Sequence, residues 1–328
     1  MGYAEEDFVI GGAPVITLEV PTGGDSTRPE FMRARIAPGR GMMTLQLQAR
    51  LPKVGECDVL HCPLIEQLVR TLNDDCDESG NTSFSFGAAV LIPFANRIPG
   101  RLSADGRDIE TRVDARQVHL RANWGGKKPG AERYAMHGMI LARAAQNVAH
   151  KRTETADAVV AGLDAGDFGG HWLSSAELTF EYSLARDVYA LRVTTRNSGT
   201  ETLPLGIGWH PYFALPSGAR AQARLRVPAR ERLVVNNYDD VLPTGEIAPV
   251  GGTAYDFSTL GGKPLGEMYL DDCFVGLEKC STGETVAEIT DPLGAYGIRI
   301  VACSTQVCAL QVYAPPEKPF IVVEPQFN

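Results

Sequence analysis

Between residues 176 and 200 the chain reads AELTFEYSLARDVYALRVTTRNSGT. Leu178, Phe180, Tyr182 and Leu184 alternate with more polar neighbours, and after Arg186-Asp187 the period of two resumes at Tyr189, Leu191, Val193 and Thr195. Successive strand side chains point to opposite faces, so this pattern predicts a β-hairpin with one face buried. Further strand-like runs at 88–92, 285–290, 297–302, 307–313 and 320–323 are each bounded by Gly, Pro, Asn or Asp. The 34 glycines and 21 prolines among 328 residues favour many short strands over long helices. One helix is predicted at 63–72, where Leu64, Ile65, Leu68, Val69 and Leu72 share a face behind Pro63, and it is expected to pack on a sheet. Internal repeats and long linkers are not evident. The expectation is therefore all-β: one large antiparallel β-sandwich domain over residues 1–328, with few short helices.

Charge narrows the function. A net charge of -9 repels phosphate backbones and anionic membrane surfaces, which argues against nucleic acid or a membrane as partner and for a neutral or cationic small molecule. The longest apolar stretch, near 86–95, contains a proline and falls short of the roughly 20 residues a membrane helix needs. The opening MGYAEEDFVI carries acids where a signal peptide has basic residues, which reads as cytoplasmic. An odd count of seven cysteines (Cys57, Cys62, Cys76, Cys273, Cys280, Cys303 and Cys308) suits reduced thiols, and the spacing of the first three matches no common zinc pattern, so no metal is expected.

Five segments carry groups capable of chemistry. In Gly208-Trp209-His210-Pro211-Tyr212-Phe213 an imidazole sits between aromatics, a setting suited to a sugar, whose C–H faces stack on rings while its hydroxyls seek hydrogen bonds. Glu324 follows the four apolar residues 320–323 at the apparent end of a buried strand, where desolvation raises a carboxyl toward the range of a general base. Asn96 and Arg97 follow a strand and precede a Pro-Gly turn, offering an amide and a guanidinium fork. His137 precedes Gly138, which permits close backbone approach. Asp271 and Asp272 are a solvated turn or acceptors for two sugar hydroxyls.

In this order, across residues 86 to 326, the segments resemble the galactose mutarotase, or aldose 1-epimerase, family. Its pattern of Asn-Arg-Ile, His-Gly, His-Pro-Tyr-Phe, Pro-Thr-Gly-Glu-Ile, a strand-borne Asp and Glu-Pro-Gln is met at 96–98, 137–138, 210–213, 243–247, Asp271 and 324–326. The resemblance implies a β-supersandwich with the sugar in an open cleft on one sheet. It makes Glu324 the general base and His210 the general acid, Arg97, His137, Asp271 and Asn96 sugar-positioning groups, and Tyr212 a wall. Asp272 stands beside Asp271 as the alternative ligand. The stretch 56–81 has no counterpart in the pattern and is expected to be an insertion.

The implied reaction, interconversion of α and β anomers of a free hexose, moves one proton off the C1 hydroxyl and one onto the ring oxygen, so one base and one acid suffice and no cofactor is expected. Three other readings remain: a hexose-6-phosphate epimerase, which needs a cationic cluster near Arg97 for which Arg101 and Arg107 are the candidates; a glycosidase using Asp271 and Glu324; and a non-catalytic carbohydrate-binding module.

Overall fold

The structure is a computed structural model that describes residues 8–21, 23, 27–73, 81–125 and 133–328. Strands dominate it, in agreement with the alternation read above. The largest sheet has eleven strands. Its order begins with Pro243–Pro249, Ala229–Val235, Leu270–Leu277, Ala309–Ala314 and Phe320–Phe327. It continues through Ile207–Ala214, Ala88–Leu91, Met43–Leu51, Glu30–Ala37 and Ile16–Glu19, with Gly55–Asp58 also pairing to Met43–Leu51. Every pairing between these strands is antiparallel.

Two four-stranded sheets cover one face of it. The first joins Gln146–Arg152, Ala156–Gly166, Ala176–Ala185 and Tyr189–Asn197, the last two being the expected hairpin. Leu178, Phe180, Tyr182 and Leu184 are all buried there, in one core with Phe213, Leu310, Val312, Ile321 and Val323 of the large sheet. The second sheet, which includes Thr285–Asp291 and Tyr296–Ala302, adds Ala287, Ile289 and Ile300 to that core. Hydroxyls stitch the layers together: Tyr182 donates to the Met42 carbonyl at 2.6 Å, and Thr44 Oγ1 meets the Tyr189 hydroxyl at 2.6 Å.

Among the described residues the opposite face of the large sheet is partly covered. The helix, observed at Ile65–Leu72, lays Leu68 and Leu72 against Leu45, Ala89 and Leu91 and against Phe84 of the short 3-10 turn Asn81–Phe84. Ala89 is the cross-strand neighbour of His210, so the helix ends its cover beside that histidine. Of the stretch 56–81, residues 74–80 with Cys76 lie outside the described residues. The remainder is tied in by the Gly55–Asp58 pairing, the Leu60–Phe213 bridge and the helix.

Two expectations shift. The run at 307–313 forms a strand at Ala309–Ala314, and the last strand continues through Pro325 to Phe327, so Glu324 lies inside a strand and not at its end. Its side is set by alternation: Phe320, Val322, Glu324 and Gln326 share the partly covered face, while Ile321 and Val323 enter the core. Among the described residues no helix is long and apolar enough to cross a membrane.

Truncating the fully buried Leu68 to Ala removes the helix's main anchor and is expected to cost about 2–5 kcal/mol by denaturant titration. The exposed Leu64→Ala is expected to stay within about 0.5 kcal/mol of the parent protein.

Candidate active site

The site forms where the ladder between two central strands opens. Ile207–Ala214 and Phe320–Phe327 pair at Ile207 with Phe327 and Gly208 with Gln326, and again at Tyr212 with Val322, Phe213 with Ile321 and Ala214 with Phe320. The recorded pairing skips 209–211 and 323–325, and each triplet contains a proline, Pro211 or Pro325, which has no N–H to offer a ladder. Because the register is the same on both sides of the gap, His210 stands directly across from Glu324. His210 Nε2 and Glu324 Oε2 are 3.8 Å apart, too far for a hydrogen bond and close enough for one sugar hydroxyl group to reach both. The prolines of the two sequence motifs therefore have a shared physical role.

Both side chains are buried, His210 at 6% exposure and Glu324 at 1%, and both keep an unused polar atom, Nδ1 of His210 and Oε2 of Glu324. Gln326 Nε2 donates to Glu324 Oε1 at 2.7 Å. Gly208 makes room: a Cβ there would lie 2.6 Å from Glu324 Oε1 and 3.0 Å from the Ala95 Cβ. Burial pushes the Glu324 carboxyl up to about 8, against the opposing Gln326 hydrogen bond. Burial also lowers His210 to about 4, with Arg97 adding to the effect. Near neutral pH both directions favour the uncharged pair, with the proton on the carboxyl and the imidazole neutral.

Tyr212 stacks on His210 with ring centroids 4.9 Å apart, meets Phe320 edge-on and donates its hydroxyl to the Phe84 carbonyl at 2.7 Å. Its polar end and faces are thus engaged by the protein, and its observed contact in the site is with His210. His137 lies at φ 61° with its ring 5.0 Å from that of His210 and 4.7 Å from Phe84. Gly138 follows at φ +75°, and a Cβ would fall 2.2 Å from the Ile92 carbonyl oxygen, so only glycine lets the chain pass there.

Further along the same face, four side chains close a ring. Arg97 Nη1 donates to Asn96 Oδ1 at 2.8 Å, Asn96 Nδ2 to Gln311 Oε1 at 3.4 Å, and Gln311 Nε2 to Asp271 Oδ1 at 2.6 Å. Asp271 Oδ2 then faces Arg97 Nη2 at 3.7 Å. Burial raises the Asp271 carboxyl to about 6, opposed by Arg97 and by the Gln311 hydrogen bond. Alternation separates the two aspartates, since both lie in the strand Leu270–Leu277 and not in a turn. Asp271 joins this ring, whereas Asp272 accepts from Arg232 and from the Tyr238 hydroxyl, each at 2.9 Å.

All seven residues singled out in the sequence, Asn96, Arg97, His137, His210, Tyr212, Asp271 and Glu324, therefore gather on one face. Pro243–Pro249, by contrast, is the exposed edge strand of the large sheet. Gln311 was missed, and Gly208 was quoted with the His210 segment without its role in making room for Glu324. Gln311 had a signal, as the one polar residue among the buried Ala309, Leu310 and Val312. Among the described residues no group of three or more His, Cys, Asp and Glu side chains is arranged to hold a metal ion.

The raised carboxyl has a consequence for stability. Below its ordinary value of 4.5 both folded and unfolded chains carry the proton; between there and about 8 only the folded chain does. Stability resting on the protonated group is thus complete at low pH and is lost as pH rises toward about 8. Glu324→Gln has no proton to lose. Its stability advantage in denaturant titrations is expected to grow between about pH 5 and pH 8, on the order of a few kcal/mol, and then level off. A gap that stays constant with pH would refute the buried-carboxyl account.

The aldose 1-epimerase family model matches residues 65–327. The uncharacterized protein YphB of Escherichia coli (strain K12) is 30% identical over 135 residues, which are 41% of this chain; the match spans only 39% of that relative's length. Among solved structures, a galactose mutarotase-like protein from Clostridium acetobutylicum superposes with a TM-score of 0.69 at 19% identity, covering 90% of this chain and 82% of that one. An aldose epimerase homologue from C. elegans gives 0.65 at 19% identity, with 95% and 89% covered. Galactose 1-epimerase from Lactobacillus acidophilus NCFM gives 0.60 at 16% identity, with 99% and 89% covered. The structural likenesses bear on the fold, and the family match runs through every residue of the site just described: the chain belongs to the aldose 1-epimerase family.

Proposed function

We propose that the protein interconverts the α and β anomers of free, uncharged hexoses such as galactose or glucose, without a cofactor. The observation that carries this reading is the facing of His210 Nε2 and Glu324 Oε2 across 3.8 Å, with Oε2 buried and without a hydrogen-bond partner among the described residues. A C1 hydroxyl donating to Glu324 Oε2 supplies the missing bond, and bonds to a carboxylate favour its charged form. The carboxyl proton then passes to His210, whose cation the new negative charge stabilises. Glu324 withdraws the C1 hydroxyl proton while His210 protonates the ring oxygen, the C1–O5 bond breaks, C1 rotates about its bond to C2, and the roles reverse on closure. Atoms and charge balance with no hydride and no electron sink.

Asp271, Arg97, Gln311 and His137 would receive the remaining hydroxyls, with Tyr212 holding the His210 ring. The charge of Arg97 is answered by Asp271, and Arg101 is engaged by Glu110. Both observations favour an uncharged sugar over a 6-phosphate.

Polarimetry on freshly dissolved α-glucose and α-galactose tests the proposal. Wild type is expected to speed the approach to anomeric equilibrium, and Glu324→Gln and His210→Asn to lose about 10²–10⁴-fold each. A response to 6-phosphates alone would replace the substrate; tight binding of a hexose with no catalysis would leave a binding module. Because the active pair carries one proton, kcat/KM is expected to fall below about pH 4 and above about pH 8. Gly208→Ala, which pushes the carboxyl off its seat, is expected to lower kcat by more than tenfold while the protein stays folded by circular dichroism.

A further inference from the structure

We infer that Asn123 is a positioning residue for His210, its side chain closing a bracket of contacts that orients the imidazole by packing. The inference rests on the function proposed above, in which His210 protonates the ring oxygen. An imidazole with such a task is ordinarily oriented by a hydrogen bond at its second nitrogen. Nδ1 of His210 is buried without a hydrogen-bond partner among the described residues, as is Nδ1 of His137. The aim of Nε2 toward Glu324 therefore depends on the rings around it. Tyr212 stacks on the face of His210 at 4.9 Å, with 29° between the planes, and His137 meets its edge at 5.0 Å and 82°.

Both neighbours trace back to Asn123. On one side Asn123 Oδ1 accepts from the Met136 N–H at 2.8 Å and Asn123 Nδ2 donates to the Met136 carbonyl at 3.1 Å, so the residue just before His137 is gripped at both backbone groups. The side chain thereby substitutes for a strand partner: Trp124–Gly125 and Arg133–Met136 pair only at Trp124 with Tyr134 and Gly125 with Arg133, and the Asn123 N–H turns to the Arg121 carbonyl at 2.9 Å. On the other side Asn123 Nδ2 donates to Asn81 Oδ1 at 2.9 Å, and Asn81 Nδ2 donates to the Asn123 carbonyl at 2.5 Å. Asn81 opens the 3-10 turn that ends at Phe84. Phe84 supplies the carbonyl that accepts from the Tyr212 hydroxyl and the ring that packs on His137 at 4.7 Å.

The amide of Asn123 has one workable orientation. Oδ1 faces an N–H and Nδ2 faces two acceptors, so a carboxylate at this position would keep the first bond and set an oxygen against two others. Arg133 steadies the segment by donating to the carbonyls of Ala122 at 2.6 Å and Trp124 at 3.1 Å, which leaves the carbonyl between them to Asn81.

The test pairs polarimetric kinetics on glucose and galactose with proton NMR titration of the His210 ring in sugar-free protein, the His210 resonance being the one lost in His210→Asn. Asn123→Ala is expected to lower kcat about tenfold or more, as a slight misplacement of a reacting group does. It is also expected to raise the His210 titration by about one unit, because water reaching a loosened ring relieves the burial that depresses it. The groups facing that ring, Glu324, His137 and Tyr212, and the charge of Arg97 are the same in the variant. Asn81→Ala, which keeps the grip on Met136, is expected to move both readouts the same way by less, and the double variant to exceed Asn123→Ala by nothing. Should Asn123→Ala fail to fold, Asn81→Ala is judged by the same two readouts. Asn197 is the control: on the sheet across the core it accepts from the Ser174 hydroxyl and the Gly199 N–H and donates to the Glu201 carbonyl. Asn197→Ala is expected to lose stability with kcat and the His210 titration at wild-type values. Wild-type kcat or a wild-type titration in Asn123→Ala, or the same changes in Asn197→Ala, overturns the inference. If wild type turns over neither sugar, the function proposed above fails and the titration alone decides: a raised value in Asn123→Ala supports the bracket, and an unchanged one overturns it.

Discussion

A carboxyl group buried in the middle of a paired sheet is tolerable only where its charge can be shed or answered, and the protein arranges both around Glu324. Shedding comes first, since burial favours the protonated carboxyl. Answering is limited to one amide, Gln326, and leaves Oε2 with no partner. The gap in the ladder at Pro211 and Pro325 brings His210 opposite, 3.8 Å away and just beyond hydrogen-bond reach. The remaining features of the site follow from needing to keep these two groups apart, dry and aligned.

The fold reaches that arrangement by giving the two faces of its large sheet different duties. One face carries Phe213, Leu310, Val312, Ile321 and Val323 into the main core against the smaller sheets. The other carries His210, Gln311, Asp271 and Glu324, and at its margin Leu68 and Leu72 press on Ala89 and Leu91. Single strands thus serve both stability and chemistry, and polar residues at alternate positions cost little because the intervening ones are fully buried.

Much of this was legible in the residues. The hairpin at Ala176–Asn197 was readable because its alternation is unbroken, and Glu324 because a carboxylate after four apolar residues has few places to go. The course of the last strand was misread at Pro325, since proline ordinarily stops a strand; nothing in the local sequence says that a second proline will sit across the gap. Asp271 and Asp272 could not be told apart locally, because adjacent strand residues take opposite faces and only the register with Ala309–Ala314 assigns them. Gln311 escaped for a related reason: its partners Asn96 and Asp271 come from segments far away in the chain.

His210, Gln311, Asp271 and Glu324 lie on four consecutive strands of one ladder system, in the order Leu270–Leu277, Ala309–Ala314, Phe320–Phe327, Ile207–Ala214. A slip of any one strand by a single position would turn its polar group into the hydrocarbon interior and an apolar one outward. This polar floor therefore has no independent melting step. It persists for as long as the central strands do, whereas the short Trp124–Gly125 strand hangs beside the ladder, where exchange of a side chain leaves the interior undisturbed.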